Sequence, residues 1–192
     1  MFNDNKEFGK RFLQINKSSD LAFVWNKLIK KSLLIKYNIE FTNVKTEEDA
    51  IFIYQVLRKA HRLVINPKSY YRYFMRKSSL SHHITDLVTL ELDINRRKSE
   101  AVELSEYWGL GYNYVLGHND IRLLDVYFRQ IFFGKSYGLK TRQKVKKMVQ
   151  TNKVKSLKST LLKNFRVLSN KDKVYFLAVV CHIYFLIYMY DR

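Results

Sequence analysis

The residues best equipped for chemistry in this 192-residue chain are cationic. Residues 122–174 hold fifteen Lys and Arg against two acids, Asp125 and Asp172, and so supply thirteen of the +18 net charges. Guanidinium forks and ammonium groups at this density attract a polyanion and release its counterions as they neutralise it. Other candidate groups are sparse. Thr46-Glu47-Glu48-Asp49 reads as a helix start, because Thr is a good cap and carboxylates are favoured at the positive end of the helix dipole. On that reading the three acids are caps rather than catalysts. Glu103 and Glu106 share one side of a helix and read as salt-bridge partners of nearby Lys and Arg, not as a general acid and base. His82 and His83 are adjacent, so they diverge on a helix, and no carboxylate or cysteine cluster joins them at ligand spacing; no metal site is expected. Cys181 is the single cysteine, which excludes an internal disulfide and a cysteine-based zinc site. The sequence has no Gly-rich phosphate loop, no Gly-x-Ser-x-Gly and no His-Glu-x-x-His.

The elements that must carry the cationic residues follow from apolar spacing. Asn119 and Asp120 are suited to cap a helix that buries Leu124, Phe128 and Ile131 and turns Arg122 and Arg129 outward. A connector over 134–140 with two glycines ends it, and Thr141 caps a second helix that buries Val145, Met148 and Val149. Arg142, Lys146, Lys147 and Lys153 remain on its outer side. Asn152 suits the left-handed residue that closes this helix. Beyond it, residues 154–157, 161–168 and 174 onward read as strands separated by polar breaks, the clearest being Ser169-Asn170-Lys171-Asp172.

These residues resemble the RNA-binding domain family named after ribosomal protein S-four of the small subunit. Arg122, Leu123 and Asp125 look like the motif's opening, Arg129 like its second Arg, and Phe132 like its apolar position. Thr141-Arg142 resembles the second-helix start, residues 148–154 the helix end and strand start, and Asp172-Lys173-Val174 the late Asp and its strand. An extra Leu in the opening and a longer connector depart from the pattern. The resemblance implies an α+β fold, with a helical region and N-terminal arm over 1–118 and, over 119–192, two short helices packed on a small mixed β-sheet. It also implies a structural role in the small ribosomal subunit at an rRNA junction. Arg122, Arg129, Lys135, Ser136, Thr141, Arg142, Lys146, Lys147, Asn152, Lys153 and Lys155 would then bind RNA. Small-subunit rRNA and neighbouring ribosomal proteins are the implied partners, with no small-molecule substrate, no cofactor and no enzymatic activity. The Lys-, Asn-, Tyr- and Ile-rich composition adds a mitochondrial, organelle-encoded origin to the expectation.

Hydrophobic residues make up 47% of the chain, too many for wholesale disorder, so the charge must lie on a folded surface. The first residues carry acids and no apolar run, unlike a signal or transit peptide. Residues 1–20 read as an arm or short helix. Leu21, Val24, Trp25, Leu28 and Ile29 set an apolar stripe for a helix from 21 to about 37, capped by Ser18-Ser19-Asp20. A helix from Thr46 would run to the only proline, Pro67, and Tyr70 to Lys77 form an aromatic and basic cluster read as core with a solvated edge. Residues 81–92 suggest another helix, Asn95-Arg96-Arg97-Lys98 a basic turn, and Ser99 a cap for 100–108. Residues 174–190 are apolar except for His182, which raises a membrane-associated or respiratory-complex subunit as the alternative, together with a weak resemblance of residues 117–122 to a piece of a complex I subunit. The run is short for a span, so a membrane partner is not expected; an RNA-modifying enzyme is a further alternative that needs a larger catalytic domain.

Overall fold

A computed structural model describes residues 4–16, 23–64, 66, 71–72, 74, 86–132 and 139–183, and every regular element among them is a helix. The chain divides into two units, Met1–Gly111 and Tyr112–Arg192. The expected mixed β-sheet is therefore corrected: no strand occurs among the described residues.

In the first unit, Asp4 accepts from the Glu7 amide at 2.6 Å and starts α1 (Asn5–Asn16). Phe8 and Phe12, one turn apart, both pack against Trp108. Gly9 makes this possible, since a Cβ there would meet the Trp108 ring at 2.5 Å. Residues 23–30 form no helix, although Trp25 and Leu28 fit a helical stripe. The Val24 amide donates to Asp49 and the Lys27 amine donates to the Phe23 carbonyl, so the segment folds into a turn and leaves Leu28 fully exposed. Helix α2 (Lys31–Tyr37) follows and stops at Asn38, whose φ of 49° is the left-handed conformation Asn tolerates. Helix α3 (Glu48–Leu57) buries seven of its ten residues. It ends at Arg58, well before Pro67, with the Arg58 and Lys59 amides on the Tyr54 and Val56 carbonyls. Helix α4 (Leu87–Tyr107) starts at Asp86, which accepts from the Thr89 amide, and continues unbroken through the expected basic turn at 95–98 and past Ser99.

In the second unit α5 (Tyr114–Phe132) touches each of α6 (Leu139–Val149), α7 (Asn152–Lys163) and α8 (Asn170–Val180). Asn113 starts α5 by accepting from the Val115 amide, so Asn119 and Asp120 are interior helix residues, wholly buried, and not caps. Residue 118, the expected domain boundary, lies within this helix. Ile121, Leu124 and Phe128 join Val145, Val149, Val154, Leu161, Leu168, Phe176 and Val179 in one core. Val154, Leu157 and Leu161 repeat at helical spacing, and Thr151 caps them by accepting from the Val154 amide. Asn152 is thus the first residue of α7, not the left-handed end of α6. Ser169 accepts from the Asp172 amide and donates to the Asp172 carboxylate, turning the expected polar break into a helix start. Two side-chain caps and a shared apolar face outweigh the β-propensity of the Val-rich run 174–180. Residues 184–190 of the apolar run lie outside the described residues, as do His82 and His83.

Truncating Phe128 removes a ring at the centre of this core, so Phe128→Ala should cost the second unit about 3–5 kcal/mol, and Ser169→Ala about 1 kcal/mol. Urea titrations followed by circular dichroism should show a lower midpoint for each variant.

Candidate active site at the head of α3

The two residues before α3 are held by buried charge. The Thr46 amide and hydroxyl both donate to one Asp93 oxygen at 3.0 Å. Glu47, the boundary residue of α3, sits at φ 67°, ψ 5°, and its carbonyl accepts the helix's first hydrogen bond from Ile51. Its carboxylate lies 2.6 Å from the Arg97 guanidinium, both side chains being less than a tenth exposed. Arg97 also reaches the Tyr54 hydroxyl at 3.4 Å. Burial pulls the Arg97 pKa down, but Tyr54 and Glu47 more than reverse it, so the guanidinium stays charged. Asp93 and Arg97 are one turn apart on α4 and so present both groups from one face. At the other end of α3, Arg58 pairs with Glu100 at 2.6 Å and with Glu103, and Gln55 donates to Glu100 at 3.0 Å. Glu103 is thus a salt-bridge partner.

This clamp presents Glu48 and Asp49, both partly buried, in the first turn of α3. Asp49 accepts from the Val24 amide at 3.3 Å, which ties it to the segment bearing Trp25. The Trp25 ring stacks with Phe23 at 5.2 Å and with Tyr71 at 4.8 Å, and each of the three is 39–50% exposed. A carboxylate hydrogen-bonded to the segment that carries a partly exposed aromatic stack can take a proton from a hydroxyl group. The sequence reading treats Thr46 and the acids as a cap, yet Thr46 is spent on Asp93 and no side-chain cap bond forms at Glu47. Three successive acids in so basic a chain were the available signal.

Among the described residues, the cations expected to bind RNA lie on α5, α6 and α7. Arg129 pairs with Asp125 at 2.8 Å on its own helix, and Arg122 is partly buried on α5. Thr141 is buried. Lys146, Lys147, Asn152 and Lys155 are exposed on α6 and α7, and the Lys153 amine lies 6.0 Å from the Tyr127 ring. Arg142 lies on α6; Lys135, Ser136 and the Arg142 side chain lie outside what is described. No group of three or more potential metal ligands, and no helix long and apolar enough to cross a membrane, occurs among the described residues.

The second unit holds a separate polar cluster. Tyr112 donates to the buried Asp120 at 2.6 Å, and His118 Nδ1 lies 3.3 Å from the buried Asp172, which Ser169 also binds. Burial works to raise the Asp172 pKa, but His118, Ser169 and Lys171 outweigh it and hold the carboxyl below its ordinary range. Burial first, then Asp120, push the Tyr112 phenol far up.

No family model and no solved structure matches the chain. Over 72 residues it is 35% identical to a cholesterol galactosyltransferase of Borreliella burgdorferi, a stretch that covers 38% of this chain and 20% of that protein. The chain thus spans about a fifth of the length of the curated relative it matches. This similarity corrects the S-four resemblance and the ribosomal, rRNA-binding role drawn from it, because the chain resembles part of a glycosyltransferase and its expected sheet is helical. The membrane or respiratory-complex and RNA-modifying alternatives gain no support either. A partial likeness to an enzyme also stands against the expectation of a non-enzymatic protein.

The two displaced pKa values set opposite limits on stability. Asp172 stabilises the fold above its ordinary pKa of 3.8, and this contribution is lost as pH falls through the lower folded value. Tyr112 contributes fully below its ordinary pKa of 10.0 and loses that contribution as pH rises beyond it. Circular-dichroism melts of Asp172→Asn and Tyr112→Phe should therefore differ from wild type near neutrality. The Asp172→Asn difference should shrink toward pH 3, and the Tyr112→Phe difference above pH 10.

Proposed function

We propose that the chain takes part in glycosyl transfer to a hydroxyl acceptor, with Asp49 as the group that receives the acceptor's proton. The observation that carries this reading is the Asp49 carboxylate, tied to the Trp25 segment at the end of a turn that buried charges hold in place. Its partial similarity to a cholesterol galactosyltransferase supplies the class of substrates. The donor is a galactose bearing a phosphate leaving group on its anomeric carbon, and the acceptor is a sterol-like alcohol. The acceptor oxygen forms the new bond to the anomeric carbon. The old carbon–oxygen bond breaks with its electron pair leaving on the phosphate, and the hydroxyl proton passes to Asp49. Trp25 and Tyr71 offer flat apolar surface to the acceptor's rings.

Transfer of radiolabelled galactose from a phosphate-activated donor to cholesterol in detergent micelles, resolved by thin-layer chromatography, tests this reading. Asp49→Asn should lower kcat about 10²–10⁴-fold, while Trp25→Ala should act mainly on the acceptor KM. No transfer by the intact chain, or an Asp49→Asn variant as fast as wild type, would count against the reading.

A further inference from the structure

We propose that Arg97, supported by Asp93, is a positioning residue for the Asp49 carboxylate; this rests on the reading of Asp49 as the proton acceptor. A guanidinium only 5% exposed and a buried carboxylate are an expensive way to join two helices, because apolar side chains of similar volume serve at least as well. What the pair does, and apolar packing would not, is fix one backbone conformation. Both α4 groups reach the two residues immediately before α3, Thr46 and Glu47. Glu47 is held at φ 67°, a left-handed conformation that Gly adopts freely and that costs any residue with a Cβ. If Glu47 relaxed to negative φ, the first turn of α3 would pivot about that residue, and Asp49, two positions on, would swing away from the Val24 amide. Arg97 supplies the side-chain anchor that keeps Glu47 there, and Asp93 fixes the residue before it.

The Val24 amide, 3.3 Å from Asp49, reports this geometry directly. In nitrogen–proton correlation spectra of the full chain its resonance should carry the downfield shift of an amide bonded to a carboxylate, and Asp49→Ala should abolish that shift. Arg97→Met should abolish it too, with a kcat about 10²-fold lower and an unchanged acceptor KM. The double variant Glu47→Gly with Arg97→Met, whose backbone reaches the left-handed conformation without an anchor, should recover both the shift and most of the rate. A merely structural Arg97 predicts the reverse, since the double variant has lost the same ion pair and gained a flexible residue. Should Arg97→Met fail to fold, Asp93→Ala, which removes only the acceptor for Thr46, should weaken the Val24 shift. A folded Arg97→Met chain with a normal Val24 shift, or no recovery in the double variant, overturns the proposal. Asp49→Asn with undiminished transfer would overturn only the proton-acceptor reading, leaving the Val24 shift to decide the role of Arg97.

Discussion

The ion pair between Glu47 and Arg97 is the constraint on which the first unit's candidate site depends. It joins residues fifty positions apart, from a turn and from the middle of α4. Removing either charge alone takes from the other its buried opposite charge. Asp93 adds a second anchor one turn earlier on α4, and Arg58 with Glu100 and Glu103 ties the far end of α3 to the same helix. Helix α3, buried on almost every side, is thereby fixed along its length by polar contacts at both ends and apolar packing between them. Its amino end is the part that remains open to chemistry.

The second unit is held differently. Its core is a continuous apolar cluster shared by α5 and the three helices that touch it, and its polar interactions include caps at helix starts and bonds to carboxylates buried inside the bundle. Ser169 and Asp172 do both, since the Ser starts α8 while the Asp, facing His118, binds that helix to α5. This arrangement explains why a helix begins where the sequence shows only a run of polar residues.

Much of the helical architecture was legible and the candidate site was not. Val145, Met148 and Val149 mark a helix by spacing alone, and the acids after Thr46 mark the start of α3. The strands expected over 154–157, 161–168 and from 174 onward weigh Val and Phe content above the caps at Thr151 and Ser169, whose hydrogen bonds settle the local conformation up to residue 180. Trp25 and Leu28 fit a helical stripe, but the Val24 amide is claimed by Asp49, a contact across 25 residues that no local pattern encodes. Arg97 was hidden most completely. Within Asn95-Arg96-Arg97-Lys98 it looks like any solvated base, and only the fold distinguishes its burial from the exposure of Arg96.

Between Asp125 and Asp172 the chain carries no acid, and Lys146, Lys147, Lys153 and Lys155 stand exposed on α6 and α7. Like charges three and four residues apart on one helix, such as Lys140 with Lys144, repel each other with no carboxylate between them. Mobile anions screen that repulsion over about 8 Å at physiological ionic strength, while a buried pair such as Glu47 with Arg97 is screened far less. Dissolved salt therefore acts on the two units unequally, relieving the strain of crowded lysines in one and leaving the clamp of the other almost untouched.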